Sequence, residues 1–170
     1  MSQHAIADVD TLLGEMTQQL RPHLASMAGD EPLMIGIHTG GVWVAEQLHQ
    51  RLGLEQPLGS LDISFYRDDF SRIGMNPEVK PSNLPFEVEG RSIILVDDVL
   101  QSGRTIRAAL NEIFDYGRPA RVILAVLLQR SGHELPIRAD ITGTQIDLAA
   151  DEQVKLTGPE NMSLSIQKQP

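Results

Sequence analysis

The chain has 170 residues, a net charge of −9, 41% hydrophobic and 22% charged residues, and no cysteine. That length suits one domain with a buried core, while the missing cysteine excludes disulfide frameworks and thiolate metal sites. The charge excludes a globally basic nucleic-acid binder though not a local basic patch, and with no leader pattern and no apolar run near membrane-span length a cytoplasmic protein without membrane contact is expected.

Residues 5–28 read as an amphipathic helix, with Val9, Leu13, Met16, Leu20 and Leu24 on one face. Pro22 falls inside the pattern and is expected to kink or split it, because proline has no N–H to donate and crowds the preceding turn. Gly29, Asp30 and Pro32 end the helix. Its apolar face packs on a sheet or on a partner. Apolar residues left exposed there would favour a homodimer or homotetramer.

Residues 33–37 form a short buried strand. His38-Thr39-Gly40-Gly41 follows, and then a helix to about Leu52 with Val44, Leu48 and Leu52 on one face. Strand, Gly-rich turn and helix make the first half of a βαβ unit. Two glycines let the backbone come close to an anion, although a tight turn alone also asks for glycine. Trp43 reads as helix packing. Residues 58–66 alternate, Leu61, Ile63 and Phe65 against Ser60, Asp62 and Ser64, as a half-buried strand does.

A long connection runs from there to about Pro85, with Gly74, Asn76, Pro77, Pro81, Ser82 and Asn83 along it. A connection of such length in a compact domain is usually functional, and its expected job is a lid that excludes water. Arg67 is the residue chosen to meet phosphate oxygens, because a guanidinium forks onto them. Phe86 and Val88 are expected in the returning strand of that lid.

Residues 92–105 carry the most chemistry. Ile93, Ile94, Leu95 and Val96 run into Asp97 and Asp98. An uninterrupted apolar strand suits a parallel sheet buried on both faces, and such sheets bind ligands beyond the carboxyl ends of their strands. Gln101, Ser102, Gly103, Arg104 and Thr105 then offer successive N–H groups, two hydroxyls and a helix N-terminus, which suit a phosphate. Acids for sugar hydroxyls beside a nest for phosphate point to a ribose-5-phosphate site. The plainer alternative is an acid pair that caps the next helix.

That helix is expected from about Gly103 to Tyr116, with Ile106, Leu110 and Ile113 inward, closed by Gly117 and Pro119. Residues 121–128 are a second buried strand, and residues 131–140 leave the sheet. Short strand candidates at 144–148, 154–156 and 163–166 are expected to form a small cap.

Residues 94–105 resemble the signature of type I phosphoribosyltransferases, which bind phosphoribosyl pyrophosphate (PRPP). Three further blocks occur around it: Ile-Gly-Ile-His-Thr-Gly-Gly at 35–41, Leu-Asp-Ile-Ser-Phe-Tyr-Arg-Asp-Asp at 61–69 and Glu-Leu-Pro-Ile-Arg-Ala-Asp at 134–140. Over roughly residues 33–143 the chain thereby resembles the PyrR family. Those proteins attenuate pyrimidine operons by binding mRNA and also have uracil phosphoribosyltransferase activity. The resemblance implies an α/β fold of the type I phosphoribosyltransferase kind, with a mostly parallel central sheet flanked by helices. It implies one domain over 1–170, a flexible lid hairpin at about 67–90, and a small hood from about 131–170 joined by the N-terminal segment.

The activity so implied converts uracil and PRPP to UMP and pyrophosphate with Mg²⁺, and pairs it with control of pyrimidine genes by sensing UMP or PRPP. Residue by residue, the resemblance gives Asp97 and Asp98 the ribose hydroxyls; these two acids, with Arg67 chosen for its guanidinium, are the expected catalytic residues. Mg²⁺ would accompany PRPP near Asp97 and Asp98. Leu100, Gln101, Ser102, Gly103, Arg104 and Thr105 would cradle the 5-phosphate. Thr39, Gly40 and Gly41 would hold pyrophosphate, in a loop whose strained cis peptide in the family would fall near Thr39-Gly40. Val99 would pack under the base, with Ile137, Arg138 and Asp140 near its edge. The implied partners include a leader mRNA, and the implied assembly is a homodimer or homotetramer.

The chain departs from the family pattern in places. Gln101 stands where transferases of the hypoxanthine type place an Asp that works at the purine N7. A Gln can be neither that acid nor that base, which tilts the substrate toward a pyrimidine. Gly40 stands where the attenuators usually carry Arg, so one phosphate contact is missing. Residues 129–133 lack the family's Asp-Arg-Gly-His-Arg pattern. The first helix offers only Arg21 and His23 as cations, and from Ala139 onward five acids (Asp140, Asp147, Asp151, Glu152 and Glu160) face Lys155 and Lys168. RNA binding needs cations that replace phosphate counterions. A weakly catalytic or non-catalytic nucleotide-sensing attenuator is therefore carried as the alternative to the enzyme.

Overall fold

A computed structural model describes residues 6–27, 29–63 and 82–169. In chain order its elements are α1 (Val9–Ser26), β1 (Leu33–Ile37), α2 (Gly40–Leu52), β2 (Gly59–Leu61), β3 (Ser92–Leu100), α3 (Arg104–Tyr116), β4 (Arg121–Arg130), β5 (Ile141–Ile146), β6 (Glu152–Thr157) and β7 (Ser163–Lys168).

Five strands form one sheet in the order β2-β1-β3-β4-β5, every neighbouring pair parallel. Apolar runs suit it because both faces are covered. Strand alternation sends Met34, Ile94, Val96, Ile123, Ala125 and Leu127 into a core with α1 and α2. Leu33, Ile35, Ile93, Leu95, Leu124 and Val126 go the other way, into a core with Ile106, Ala109 and Ile113 of α3. Each such side chain, fully buried, contributes about 1.5–3 kcal/mol. The chain steps from β1 outward to β2, then returns to the far side of β1 to lay down β3. Winding therefore reverses between β1 and β3, and the helices after those strands leave on opposite faces. A crevice at the carboxyl ends of β1 and β3 follows from that reversal.

α1 begins at a cap in which Asp8 Oδ1 accepts the Thr11 N–H at 2.7 Å. That interaction with Thr11 holds the Asp8 carboxyl below its ordinary value. The helix continues for four residues past Pro22, so the split, one of the two expected outcomes, does not occur. A proline so near the end forfeits little of the ladder, and Leu20 and Leu24 hold the last turns against the core. Val9, Leu13, Met16 and Leu20 are all buried within the chain. The exposed apolar face expected to favour self-association is therefore spent on the chain's own core.

Three other expectations change. Of the strand expected at 58–66, residues 64–66 lie outside the described residues; among 58–63 the regular part is β2, and Asp62 is buried beside Leu61 and Ile63, so alternation fails there. Phe86 and Val88 lie in no strand; both pack into the α3-side core. The return contact is one antiparallel bridge, in which Ser60 and Asn83 exchange N–H···O bonds at 2.8 Å. The candidate at 144–148 starts earlier, as β5, and is the fifth strand of the central sheet rather than part of a cap. Gly143 explains the fit: a Cβ there would lie 2.5 Å from the Leu127 carbonyl oxygen and 3.1 Å from Leu12 Cβ. β6 and β7 pair as an antiparallel hairpin. It rests on Trp43, whose ring lies against Gly158, so Trp43 packs as expected.

Candidate functional site

β3 is the floor of the crevice, and it does not stop at Val96. It runs through both acids to Leu100, paired with β4 as far as Leu100–Gln129. On the β1 side the last pair is Gly36–Val96. From Asp97 onward β3 therefore stands clear of β1 and faces the loop that follows it. Leu95 and Leu100 share the α3-side core although they are an odd five positions apart, so strict alternation breaks across the acids. Two local bonds accompany the break. Asp97 Oδ1 accepts the Asp98 N–H at 2.8 Å, and Asp98 Oδ1 accepts the Val99 N–H at 2.8 Å. Asp97 is 6% exposed, whereas Asp98 and Val99 are half-buried.

The loop above the acids holds a cis peptide at His38–Thr39, one bond earlier than expected. The His38 N–H donates to the Leu61 carbonyl at 2.9 Å and ties the loop to β2. α2 starts at Gly40 with no side-chain cap from Thr39. The leading amides of a helix have no acceptor within it, which suits an anion. Gly40 and Gly41 interlock with the acid pair. A Cβ on Gly41 would meet the Val96 carbonyl at 2.8 Å and both Cα and Oδ1 of Asp97 at 3.0 Å. A Cβ on Gly40 would collide with Asp98 Oδ2 and lie 2.9 Å from its Cγ. A side chain at 41 would meet the backbone of β3, whereas one at 40 would meet only the Asp98 carboxylate.

On the other side of the crevice, the turn 101–103 leads into α3. Gly103 takes φ +92°, a left-handed conformation that favours glycine. Ser102 Oγ accepts the Arg104 N–H at 3.1 Å, and α3 has no other side-chain cap. Residues 134–137 clamp this turn. The Glu134 and Leu135 N–H groups donate to the Ser102 carbonyl at 2.9 and 3.0 Å. Leu135 and Ile137 close over Gly103, each Cβ 3.3 Å from where a Gly103 Cβ would stand. Arg104 Nε donates to Glu134 Oε2 at 3.3 Å. Gln101 is exposed and lies beside Gly132, and Thr105 is half-buried at the start of α3.

Of the residues expected near the base, Val99 lies on the floor and Ile137 against the α3-side core, while Arg138 is exposed. Asp140 is engaged with β4: its Oδ2 accepts the Leu124 N–H at 2.9 Å and its own N–H donates to the Leu124 carbonyl at 2.8 Å. Arg67 and most of the expected lid lie outside the described residues. Two anchors lie in segments that the sequence singles out but to which it assigns no role. One is Glu134, which no periodicity marks. The other is Arg130, 6% exposed at the end of β4, whose guanidinium donates to the carbonyls of Glu152 and Ala149 and so ties the hairpin to the sheet. A charge closing an apolar run was its only signal. Among the described residues, no three His, Cys, Asp or Glu side chains are grouped to hold a metal.

Residues 3–160 match the family model of the phosphoribosyl transferase domain. The Bifunctional protein PyrR of Nitrosococcus oceani is 59% identical over 162 residues, which are 94% of this chain and 92% of that protein. The Bifunctional protein PyrR of Pseudomonas paraeruginosa is 59% identical over 153 residues, 90% of each chain. Among solved structures, a hypoxanthine-guanine phosphoribosyltransferase from Bacillus anthracis aligns with a TM-score of 0.67 at 18% identity, covering 86% of this chain and 85% of its own. At that identity the likeness speaks for the fold alone, and the fold is that of the type I phosphoribosyltransferases.

Proposed function

The chain belongs to the phosphoribosyl transferase domain family and, within it, to the PyrR proteins; on that premise we propose that it converts uracil and PRPP to UMP and pyrophosphate. The observation that carries this reading is the interlock of Gly40 and Gly41 with Asp97 and Asp98 at the reversal between β1 and β3. A binder of nucleoside monophosphates needs only the acids and the turn 101–105. A second Gly-rich helix start, set against the same acids, adds a place for the diphosphate that leaves.

In the reaction the C1–O bond to pyrophosphate breaks, the bond from C1 to uracil N1 forms, and the N1 proton is lost to water. Positive charge grows on the ribose as the first bond lengthens. Asp97 and Asp98 hold the ribose hydroxyls and stabilise that charge. Backbone N–H groups of 100–105, with the Ser102 and Thr105 hydroxyls, hold the 5-phosphate. Thr39, Gly40 and Gly41 hold the pyrophosphate, and Arg67 meets its oxygens. Val99, Ile137 and Arg138 line the base, while Asp140 acts by keeping their segment on β4. Catalysis on this reading is mostly positioning and electrostatics.

The donor set also fits Mg²⁺ carried in by PRPP. That ion keeps several waters and takes one or two carboxylates together with substrate oxygens. Asp97 and Asp98 supply two carboxylates, and no larger cluster exists among the described residues. When bound, the ion neutralises charge on the phosphate oxygens.

The same reading includes the second arm of the PyrR proteins. UMP or PRPP in this site modulates binding of a pyrimidine-gene leader RNA by a homodimer or homotetramer. A lid from about residue 67, ending before the core-packed Phe86 and Val88, a hood from about 131 onward that leaves out β5, and a cytoplasmic location belong to it too. No helix among the described residues is long and apolar enough to cross a membrane.

The test is a panel of uracil, hypoxanthine, guanine and xanthine with PRPP and Mg²⁺, followed by pyrophosphate release. Release with uracil above all supports the assignment, and a purine preference or no release removes it. Gel-shift titration of the leader RNA, with and without UMP, judges the second arm. No binding at low salt removes that arm.

A further inference from the structure

Glu112 sits in the middle of α3, next to the buried Ile113 and three residues beyond the buried Ala109. Its Oε1 accepts the Ser82 hydroxyl at 2.6 Å. The Ser82 oxygen in turn accepts the Asp62 N–H at 3.1 Å. Asp62 lies just before the connection 64–81 and Ser82 just after it. Ser60 and Asn83 pair across the same neck. One carboxylate on the helix that follows the turn 101–103 therefore holds both ends of that connection.

The bond to Ser82 uses only one of the two carboxylate oxygens. Glu112 Oε2 is buried and has no hydrogen-bond partner among the described residues. A buried, unsatisfied carboxylate oxygen costs stability. An aliphatic residue of similar size would remove that cost on a face that already holds Ala109 and Ile113. The same change would leave the Ser82 hydroxyl without its acceptor, so what the carboxylate supplies is the placement of Ser82 and, through it, of Asp62.

We infer that Glu112 is a positioning residue for phosphoribosyl transfer, acting through Ser82 to fix the carboxyl end of β2 and the point where the chain rejoins it. The inference rests on the transferase reading above. Its effect is exerted on PRPP binding, because α3 carries the expected 5-phosphate site at its first turn and the clasp at its third.

The test compares Glu112→Leu, Glu112→Gln, Ser82→Ala and the Glu112→Leu/Ser82→Ala pair in the full chain. The readouts are Tm, kcat, KM for PRPP and the Tm shift induced by PRPP alone. Glu112→Leu is expected to change Tm little, the relieved Oε2 offsetting the lost Ser82 bond, while raising the KM for PRPP about tenfold and reducing the PRPP-induced shift. Glu112→Gln keeps an oxygen for the Ser82 hydroxyl and is expected to stay within about twofold of wild type. The double variant is expected to bind PRPP no worse than Glu112→Leu, because both changes cut one relay. Wild-type kinetic constants in Glu112→Leu, or a loss of binding that only tracks a loss of Tm, overturns the inference. Should Glu112→Leu fail to fold, Ser82→Ala decides by the same KM. Wild-type protein that releases no pyrophosphate with any base sinks the transferase reading instead, and the PRPP-induced shift still judges Glu112.

Discussion

Gly40 and Asp98 compete for one space. The Asp98 carboxylate occupies the place where a side chain on residue 40 would begin, so the missing Cβ is what seats that carboxylate beside the helix start. Gly40→Ala should therefore move Asp98 rather than unfold the protein, because the obstructing atoms belong to a side chain that can swing away. A catalytic group misplaced by about 1 Å can cost about a hundredfold. We expect a loss of that order in kcat/KM for PRPP with Tm little changed. Addition of Asp98→Asn should then cost little more, since both changes act on one group.

The two acids should separate in their effects. Asp98 is half-buried, and Asp98→Asn keeps an oxygen for the Val99 N–H. It should lower kcat by about 10² with Tm unchanged, as loss of one electrostatic stabiliser does. Asp97 is buried and satisfies the Asp98 N–H. Asp97→Ala should lower both activity and stability, the latter by about 1–3 kcal/mol, measurable by urea titration. Full transfer activity in Asp98→Asn would remove the acid pair from the reaction.

Gly143→Ala should affect stability alone. The new methyl would press on the Leu127 carbonyl and on Leu12, both fixed in the core. Neither backbone nor helix can give way easily, so a loss of about 1–3 kcal/mol is expected. The KM values for PRPP and uracil should stay at wild type, because β5 meets α1 and β4 there rather than the crevice.

The α1 cap gives a pH-dependent signature. The Asp8 carboxyl titrates below its unfolded value because of Thr11. Its contribution is then present above the unfolded carboxylate range and is lost as pH falls through the folded value. Asp8→Ala should lower Tm at neutral pH, and the gap should close as pH falls below the ordinary carboxylate range. A gap that stays constant over that range would show that the cap acts through something other than the charged carboxylate.

Much of this architecture is legible in the residues. The runs at 33–37 and 121–128 announce β1 and β4 because a strand buried on both faces admits little but aliphatic side chains. Asp97, Asp98 and the turn after them stand out because two acids closing such a run have no packing purpose. What escapes the sequence is decided by distant partners. Pro22 reads as a break, yet packing at Leu20 and Leu24 carries the helix past it. β5 hides because its burial depends on Gly143 meeting α1 and β4. Phe86 and Val88 read as a strand, although the surface they cover is apolar core and not a neighbouring backbone. Glu112 looks like an ordinary exposed helix residue until Ser82 is placed against it.

The neck made by Ser60 and Asn83 has a consequence for how freely this chain can change length. Residues 63 and 82 are brought together by bonds that do not involve anything between them. The entropy of closing the segment is then nearly insensitive to how long it is. Halving residues 64–81 alters that closure by only about 0.6 kcal/mol. On a flexible-chain estimate, the neck would therefore close over a segment of half the length without any adjustment of the sheet.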